Sequence, residues 1–362
     1  MKKVLFATTA LIATTGMAAA EISFGGFGRF GLLYDEGNDD GDDTRIEQRF
    51  RLTATGTTTS DNGLEFEGRI RFQTDDQANG ASNVANNSAA GFAVSTGGFR
   101  LDVGHVSDVL DSGDVVDYYG FGVGLTSSIE QSTSFGLPAS GFGTGDSDVA
   151  PTVKLRYTVG DFTVSASVTD DSDLSSTSSS VASAAVDNSA NDLADIAIGD
   201  STTVTTNTDR EEYQIGFGYN FGNYSAGIVY GNEDGTTLTT QTIATGGSAA
   251  GTTTNEADID NDFWAISFGG EIGAFAFSIL IADEDDADDT KYGFSVKYDV
   301  GAATEIRFAF ADNGVDGADE SYGIGFRHSL GGGVSLQGGV GEVVDADGDG
   351  QTFADLGVVF NF

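Results

Sequence analysis

Cysteine is absent from this chain of 362 residues, and proline and histidine occur only twice each. The lack of cysteine excludes a disulfide framework and thiol catalysis. The scarcity of proline suits uninterrupted hydrogen-bonded β-ladders, and the 52 glycines disfavour long helices. Beyond the N-terminal segment, no apolar run approaches the roughly 20 residues that a membrane-spanning helix needs. If the chain crosses a membrane, we therefore expect it to do so as a closed β-barrel.

Basic residues are also few: 16 Lys and Arg stand against 56 Asp and Glu, which gives a formal net charge of −40. Such a charge repels phosphates, so nucleic acid is excluded as a partner. The acidic residues are not spread evenly but gather in runs such as 35–43, 283–289 and 312–320. Because runs of like charge are usually solvated, we interpret these stretches as loops between structured segments.

The N-terminus has the pattern of a secretory signal peptide. A positive start, Met1-Lys2-Lys3, precedes a mostly apolar stretch and the small residues Ala18-Ala19-Ala20. The apolar stretch is too short and too rich in threonine for a membrane anchor. The sequence therefore predicts a signal peptide at 1–20 and a single transmembrane β-barrel domain at 21–362.

Apolar residues alternate with polar or small ones along much of the remaining chain. The pattern is clearest in the last third, where Tyr292, Phe294, Val296, Tyr298 and Val300 share one strand face. A period of two residues is typical of β-strands with one apolar face, and the pattern predicts about sixteen of them. Short turns alternate with longer polar loops, as expected for an antiparallel barrel with both termini on one side. The predicted fold class is therefore all-β.

The C-terminal run 353–362 alternates to its end and stops on an aromatic residue, Phe362. A closed barrel in a membrane explains such an ending, because its last strand pairs with its first and faces lipid on one side. Tyrosines near predicted strand ends, such as Tyr157 and Tyr213, fit interfacial girdles.

The residues between the apolar ones are predicted to face the interior of the barrel. On the first three strands and the sixth, this inward set holds eight of the 16 Lys and Arg residues of the chain. The predicted inward cations are Arg29, Arg45, Arg49, Arg51, Arg69, Arg71, Lys154 and Arg156. Charged side chains at this density imply a water-filled lumen. Two interpretations remain open: the cations line a constriction, or they form ion pairs with inward acids such as Glu47 and Glu67.

A long segment at 105–150 follows the fifth strand. Its first part carries four aspartates, and an aromatic, glycine-rich piece, 118–125, follows them. So much apolar material should be buried, and folding into the barrel would bury it. The acidic residues would then lie opposite the basic ones and narrow the channel. They are Asp108, Asp111, Asp114 and Asp117.

The signal peptide, the strand count, the order of the loops and the terminal Phe362 together resemble the general-diffusion porins of Gram-negative bacteria. The chain is most similar to those of alphaproteobacteria such as Rhodobacter. The resemblance implies an outer-membrane homotrimer, surrounded by lipid and lipopolysaccharide, that passes ions and small hydrophilic solutes. It also implies a third loop folded inward against an arginine cluster. That cluster maps to Arg29, Arg49, Arg51, Arg69, Arg71, Lys154 and Arg156. The Pro-Glu-Phe-Gly-Gly-Asp motif of the enterobacterial third loop is absent.

Two further sequence patterns give weaker indications of function. Residues 26–31 match a dinucleotide-binding glycine pattern but lie within a predicted strand with no helix after it. The acidic loop with Asp345, Asp347 and Asp349 resembles the start of a calcium site, although no glutamate stands at the twelfth position. The alternative is a plain hairpin turn, so calcium is possible and no other cofactor is expected.

Only His105 and His328 could act as imidazole bases, and neither is accompanied by a convincing nucleophile. We therefore do not expect an enzyme. An adhesin, a receptor or a calcium-binding surface protein acting through the acidic loops is the alternative function.

Overall fold

The computed structural model describes residues 20–38, 42–76, 82–144, 150–170, 174–181, 201–244, 251–285, 287–345 and 348–362. The predicted signal peptide lies outside these ranges except for Ala20. No helix in the described part of the chain has the length and apolarity to cross a membrane.

The described residues form one antiparallel sheet. Its strands are β1 (Glu21–Asp35), β2 (Thr44–Thr59), β3 (Glu65–Asp75), β4 (Asn86–Asn87), β5 (Gly91–Thr96), β6 (Phe99–Gly104), β7 (Thr152–Val159), β8 (Phe162–Asp170), β9 (Leu174–Val181), β10 (Ser201–Phe221), β11 (Tyr224–Ala244), β12 (Gly251–Ile272), β13 (Phe275–Glu284), β14 (Lys291–Asp299), β15 (Thr304–Asp312), β16 (Ser321–Gly331), β17 (Val334–Val344) and β18 (Gly350–Asn361).

The sheet closes on itself as a barrel of 16 strands, which confirms the predicted fold class. Two of the segments do not add to that number. The two-residue β4 pairs with β3, and β9 pairs with one part of β10 while β8 pairs with another. Closure removes the free sheet edges, so every strand finds a partner for its backbone groups.

The seam of the barrel is made by the two ends of the described chain. β18 pairs with β1, and Gly26 and Phe362 exchange two backbone hydrogen bonds of 3.1 Å. The Phe362 ring stacks on Phe50 of β2 with ring centroids 5.5 Å apart. The C-terminal alternation therefore does pair the last strand with the first.

The outer face of the barrel is apolar because every second strand residue points away from the interior. Ile22 and Phe24 on β1 are 67% and 66% exposed, and Phe217 on β10 is 52% exposed. In water such exposure would be costly, whereas in a bilayer these side chains contact lipid. The alternating sequence pattern and the closed sheet thus agree on which face is lipid-exposed.

Connection lengths differ between the two ends of the barrel. Two-residue turns such as Gly222-Asn223 join strands at one end, and Gly222 there has a φ of 67°, which favours glycine. The connections after β1, β3, β6, β13, β15 and β17 are longer and lie at the opposite end. The longest described connection follows β6, and we call residues 105–151 the inner loop.

The inner loop forms an apolar core inside the barrel. Val109, Leu110, Val116 and Phe135 of the loop are at most 1% exposed and pack in one cluster with wall residues of β11, β12, β13 and β15 such as Phe263. These apolar residues of the loop are therefore buried against the inner wall.

Candidate functional site

The inner loop is held by side chains that project from the inner wall. Its backbone N–H groups at Leu110, Asp117 and Phe121 donate to Gln214 Oε1 (2.8 Å), Ser267 Oγ (2.9 Å) and Ser295 Oγ (3.0 Å). These acceptors lie on β10, β12 and β14. Backbone N–H groups that are buried away from water need such partners, and irregular backbone at membrane depth is tolerated only where it is buried in protein or lines a water-filled cavity. A segment that contacts every second strand from β10 to β14 in this way lies within the barrel.

Asp355 on β18 anchors the middle of the inner loop. Its two carboxylate oxygens accept hydrogen bonds from the backbone N–H groups of Leu125 (2.8 Å) and Thr126 (2.9 Å). The Thr126 hydroxyl donates a third bond of 2.8 Å. The side chain is only 6% exposed, so an aspartate on the inner wall is used to hold the loop rather than to line open water.

Inward-facing glycines give the loop room to approach the wall. A Cβ placed on Gly227 would overlap the carbonyl oxygen of Val115, and one on Gly293 would overlap the carbonyl oxygen of Gln131. A Cβ on Gly339 would lie 2.7 Å from Cγ1 of Val123. The loop backbone therefore rests directly on the strand backbone at positions where any side chain would displace it.

The predicted arginine cluster lies on the inner wall of β1, β2, β3 and β7, and we call these seven cations the basic wall. Several are already neutralised by neighbouring acids. Arg29 pairs with Glu47, and Arg49 pairs with Asp75. The ion-pair interpretation left open by the sequence therefore applies to part of the cluster.

Asp114 joins the inner loop to the basic wall. Its carboxylate lies 2.8 Å from Nζ of Lys154 and also pairs with Nη1 of Arg156. Burial alone would raise the pKa of Asp114, but the attraction and hydrogen bonds of these two cations outweigh it and lower the pKa. Asp114 of the inner loop and two cations of β7 are therefore in direct contact.

Three cations of the basic wall form no ion pair with the described residues: Arg51, Arg69 and Arg71. Arg51 donates to Gln73 Oε1, and its guanidinium carbon lies 5.2 Å from the ring centroid of Phe27. The guanidinium carbons of Arg69 and Arg71 lie 4.2 and 4.5 Å from the ring centroid of Phe142 on the inner loop. These three side chains hold the uncompensated positive charge of the wall.

Asp108 departs from the predicted lining role. It is completely buried, and its carboxylate accepts hydrogen bonds from the backbone N–H groups of Asp111 (2.7 Å) and Ser140. Burial, and next the nearby Glu212, raise the pKa of Asp108 to about 8 despite those two hydrogen bonds. This aspartate ties the two limbs of the inner loop together. The sequence did not indicate this role, because the spacing of acids in a loop does not show in which direction each side chain points.

Two further predicted acids, Asp111 and Asp117, are less buried than Asp108. Asp111 Oδ1 accepts a 2.6 Å bond from the Tyr119 hydroxyl, and the exposed Asp117 accepts one of 3.0 Å from the Gly120 backbone. Glu130, which was not among the predicted residues, lies in the same loop. Its burial, together with the charge of Asp117, raises the pKa of Glu130 to about 7.

The candidate calcium loop is a hydrogen-bonded turn where the structure describes it. The Asp345 carboxylate accepts 2.9 Å bonds from the Asp349 backbone and from Gln351 Nε2. Asp347 lies outside the described residues. No group of three metal-binding side chains occurs among the described residues, and calcium at this loop stays a prediction.

The two histidines lie apart. His105 Nε2 is 3.2 Å from the Gly143 carbonyl oxygen in the inner loop, and His328 Nδ1 is 2.8 Å from Thr304 Oγ1 on β15.

Sequence reasoning missed three residues of this site: Phe142, Glu130 and Asp355. Asp355 had a usable signal, since it is the single acidic residue of the final strand and stands at an inward position there. Phe142 and Glu130 stand in aperiodic sequence, where no pattern indicates the direction of a side chain.

Comparison with known proteins identifies one family. The chain matches the family described as Gram-negative porin over residues 7–349. It is 26% identical over 362 aligned positions to a porin of Rhodobacter capsulatus, covering 94% of this chain and 100% of that protein. It is also 42% identical over 93 residues to a porin of Fuscovulum blasticum. That second match covers 25% of this chain and only 32% of the relative.

Solved structures of two variants of the Rh. blastica porin share the fold. Each superposes with a TM-score of 0.66 at 24% sequence identity, and the match covers 94% of this chain and 100% of the other. At that identity the likeness concerns the fold.

Proposed function

Since the chain belongs to the Gram-negative porin family and is an outer-membrane β-barrel channel, we propose that it passes ions and small hydrophilic solutes by passive diffusion. Its relatives are channels rather than enzymes. Diffusion through a polar lumen needs neither a nucleotide nor a separate energy-coupling domain. As in the resemblance drawn from the sequence, we propose that three copies assemble in the lipid and lipopolysaccharide of the outer membrane.

One observation supports a constriction at the inner loop: Asp114 contacts Lys154 and Arg156 of the basic wall. This contact brings an acidic loop segment against the wall that also carries Arg51, Arg69 and Arg71. Solutes then pass between uncompensated cations on one side and loop acids such as Asp111 on the other. Such a transverse field favours small polar solutes over apolar ones.

The overall charge favours a weak preference for cations. The formal net charge is −40, and the acidic runs 35–43, 283–289 and 312–320 begin at the ends of β1, β13 and β15, which lie at one mouth of the barrel. Acidic mouths raise the local concentration of cations, while the uncompensated arginines oppose it. Because four cations of the basic wall are paired with acids, the opposing charge is smaller than the sequence alone implies.

The test is reconstitution of residues 21–362 into a planar lipid bilayer. We expect single-channel steps in groups of three and a reversal potential of the sign for weak cation preference in a salt gradient. A reversal potential of the opposite sign would refute the cation preference. Folded protein that passes no current would refute the diffusion function and favour an adhesin or receptor that acts through the acidic loops.

A further inference from the structure

Phe142 occupies an unusual position on the return limb of the inner loop. It stands between Gly141 and Gly143, so it is the one large side chain in this short stretch. The residue is only 7% exposed, and its ring lies against β3 of the basic wall. The ring of Phe142 is thus buried against arginines and does not belong to the apolar core of the loop.

The contacts of the ring are cationic. The guanidinium carbons of Arg69 and Arg71 are 4.2 and 4.5 Å from its centroid, both within the range of a cation–π interaction. Arg71 also donates through Nη1 to the carbonyl oxygen of Phe142, while its buried Nε has no hydrogen-bond partner among the described residues. The His105 ring also contacts Phe142, with the two ring centroids 5.1 Å apart.

Covering a guanidinium changes what it can bind. The planar face of arginine is weakly hydrated and stacks on aromatic rings, and its N–H edge binds carboxylates and phosphates in pairs of hydrogen bonds. In this protein one ring covers two of the three unpaired guanidiniums, and its own carbonyl takes one N–H of Arg71. Anions in the lumen therefore meet fewer free donors than three unpaired arginines would offer.

We propose that Phe142 is a specificity-determining residue that shields Arg69 and Arg71 from solutes in the channel and thereby limits the attraction of anions. The selectivity part of this proposal rests on the diffusion function proposed above. The shielding itself is a property of the folded chain and can be measured without current.

The neighbouring loop contacts fit this role. A Cβ on Gly141 would lie 2.9 Å from Oδ1 of Asp111, so the return limb contacts a loop acid on one side and the arginines on the other. The limb is tied at Ser140, whose backbone accepts from and donates to Asp108. The ring is thus held at a defined place between opposite charges.

The first experiment is arginine modification of the folded protein with phenylglyoxal, followed by peptide mass mapping. We expect Arg69 and Arg71 to react several-fold faster with the reagent in the Phe142→Leu variant than in the protein with its native Phe142. The reaction rate of Arg156 serves as an internal reference. Phe142→Tyr keeps an aromatic ring and should retain the protection. Phe121→Leu alters an aromatic residue of the same loop near Lys297 and should leave both arginines protected. Equal modification rates of Arg69 and Arg71 in the Phe142→Leu variant and in the protein with its native Phe142 would overturn the proposal.

The second experiment is the reversal potential of the same variants in a potassium chloride gradient. Phe142→Leu should lower the cation-to-anion permeability ratio by about twofold, and Phe142→Tyr should not. Faster modification with an unchanged ratio would overturn the role in specificity. If the unmodified protein passes no current, the diffusion function fails, whereas the modification rates still decide whether Phe142 shields the arginines.

Discussion

Asp114 of the inner loop and Lys154 of β7 form an ion pair of 2.8 Å inside the barrel, with side chains 10% and 7% exposed. The two residues form one of several direct links between an aperiodic loop and the regular wall that it faces. Because Arg156 binds the other carboxylate oxygen, one aspartate neutralises part of the charge of two cations. The charge that solutes meet is therefore set by pairing as much as by composition.

Replacing Asp114 by asparagine should loosen the loop from the wall. The change leaves the buried ammonium of Lys154 without an ion-pair partner among the described residues, and we expect a loss of about 1–3 kcal/mol in the free energy of unfolding. Single-channel conductance should rise and selectivity should shift towards anions. Urea unfolding in detergent and bilayer recordings measure both effects. Asp117→Asn is the matched control, since that carboxylate forms no ion pair among the described residues. Equal changes in stability and conductance for the two variants would contradict a role of the Asp114–Lys154 ion pair.

Stability should depend on pH through Asp108. Burial and Glu212 raise its pKa in the folded protein to about 8, above the value of about 3.9 expected in an unfolded chain. An acid whose folded pKa is raised contributes stability that is fully present below the unfolded pKa and is lost as the pH rises through the folded one. We therefore expect the unfolding free energy to fall between pH 4 and pH 8, by at most about 1.4 kcal/mol per pH unit from this group. Asp108→Asn should flatten that slope in urea titrations at several pH values, and parallel slopes would argue against the assignment.

The glycines beneath the inner loop should not tolerate a side chain. Gly227→Ala places a methyl group on the Val115 carbonyl oxygen, next to Asp114, and both backbones resist displacement. We expect a cost of about 1–3 kcal/mol in unfolding free energy and an altered conductance. Gly25→Ala is the control, because a Cβ there meets nothing within 4 Å. Full stability of Gly227→Ala would mean that the loop does not rest on β11.

Arg49 and Arg51 provide a test of the basic wall. Replacing both by alanine should increase conductance and shift selectivity further towards cations, because it removes one uncompensated cation and frees Asp75 from its pair with Arg49. Conductance steps and reversal potentials in a bilayer measure the change. If neither quantity moves, these two arginines do not belong to the constriction.

Much of the fold was predictable because strand patterns are local. The alternation in Tyr292 to Val300 assigned one face to lipid, and the same rule placed Arg49 and Lys154 on the inner wall, where the structure has them. The loop acids were predictable only as a group. Asp114 meets the wall, whereas Asp108 turns away from it, and no periodicity distinguishes the two.

The amino-acid sequence alone determined the barrel, its lipid-facing side and the inward position of the cations, since each follows from a period of two residues and from backbone groups that need partners in a membrane. Only the tertiary structure decided which cations are neutralised and which are covered. Those contacts join residues far apart in the chain, as the bond from Leu125 to Asp355 across 230 positions illustrates. The inner loop has no periodic pattern, and the wall against which it packs sets the directions of its side chains. The contact of Phe142 with Arg69 and Arg71 was therefore visible only in the tertiary structure.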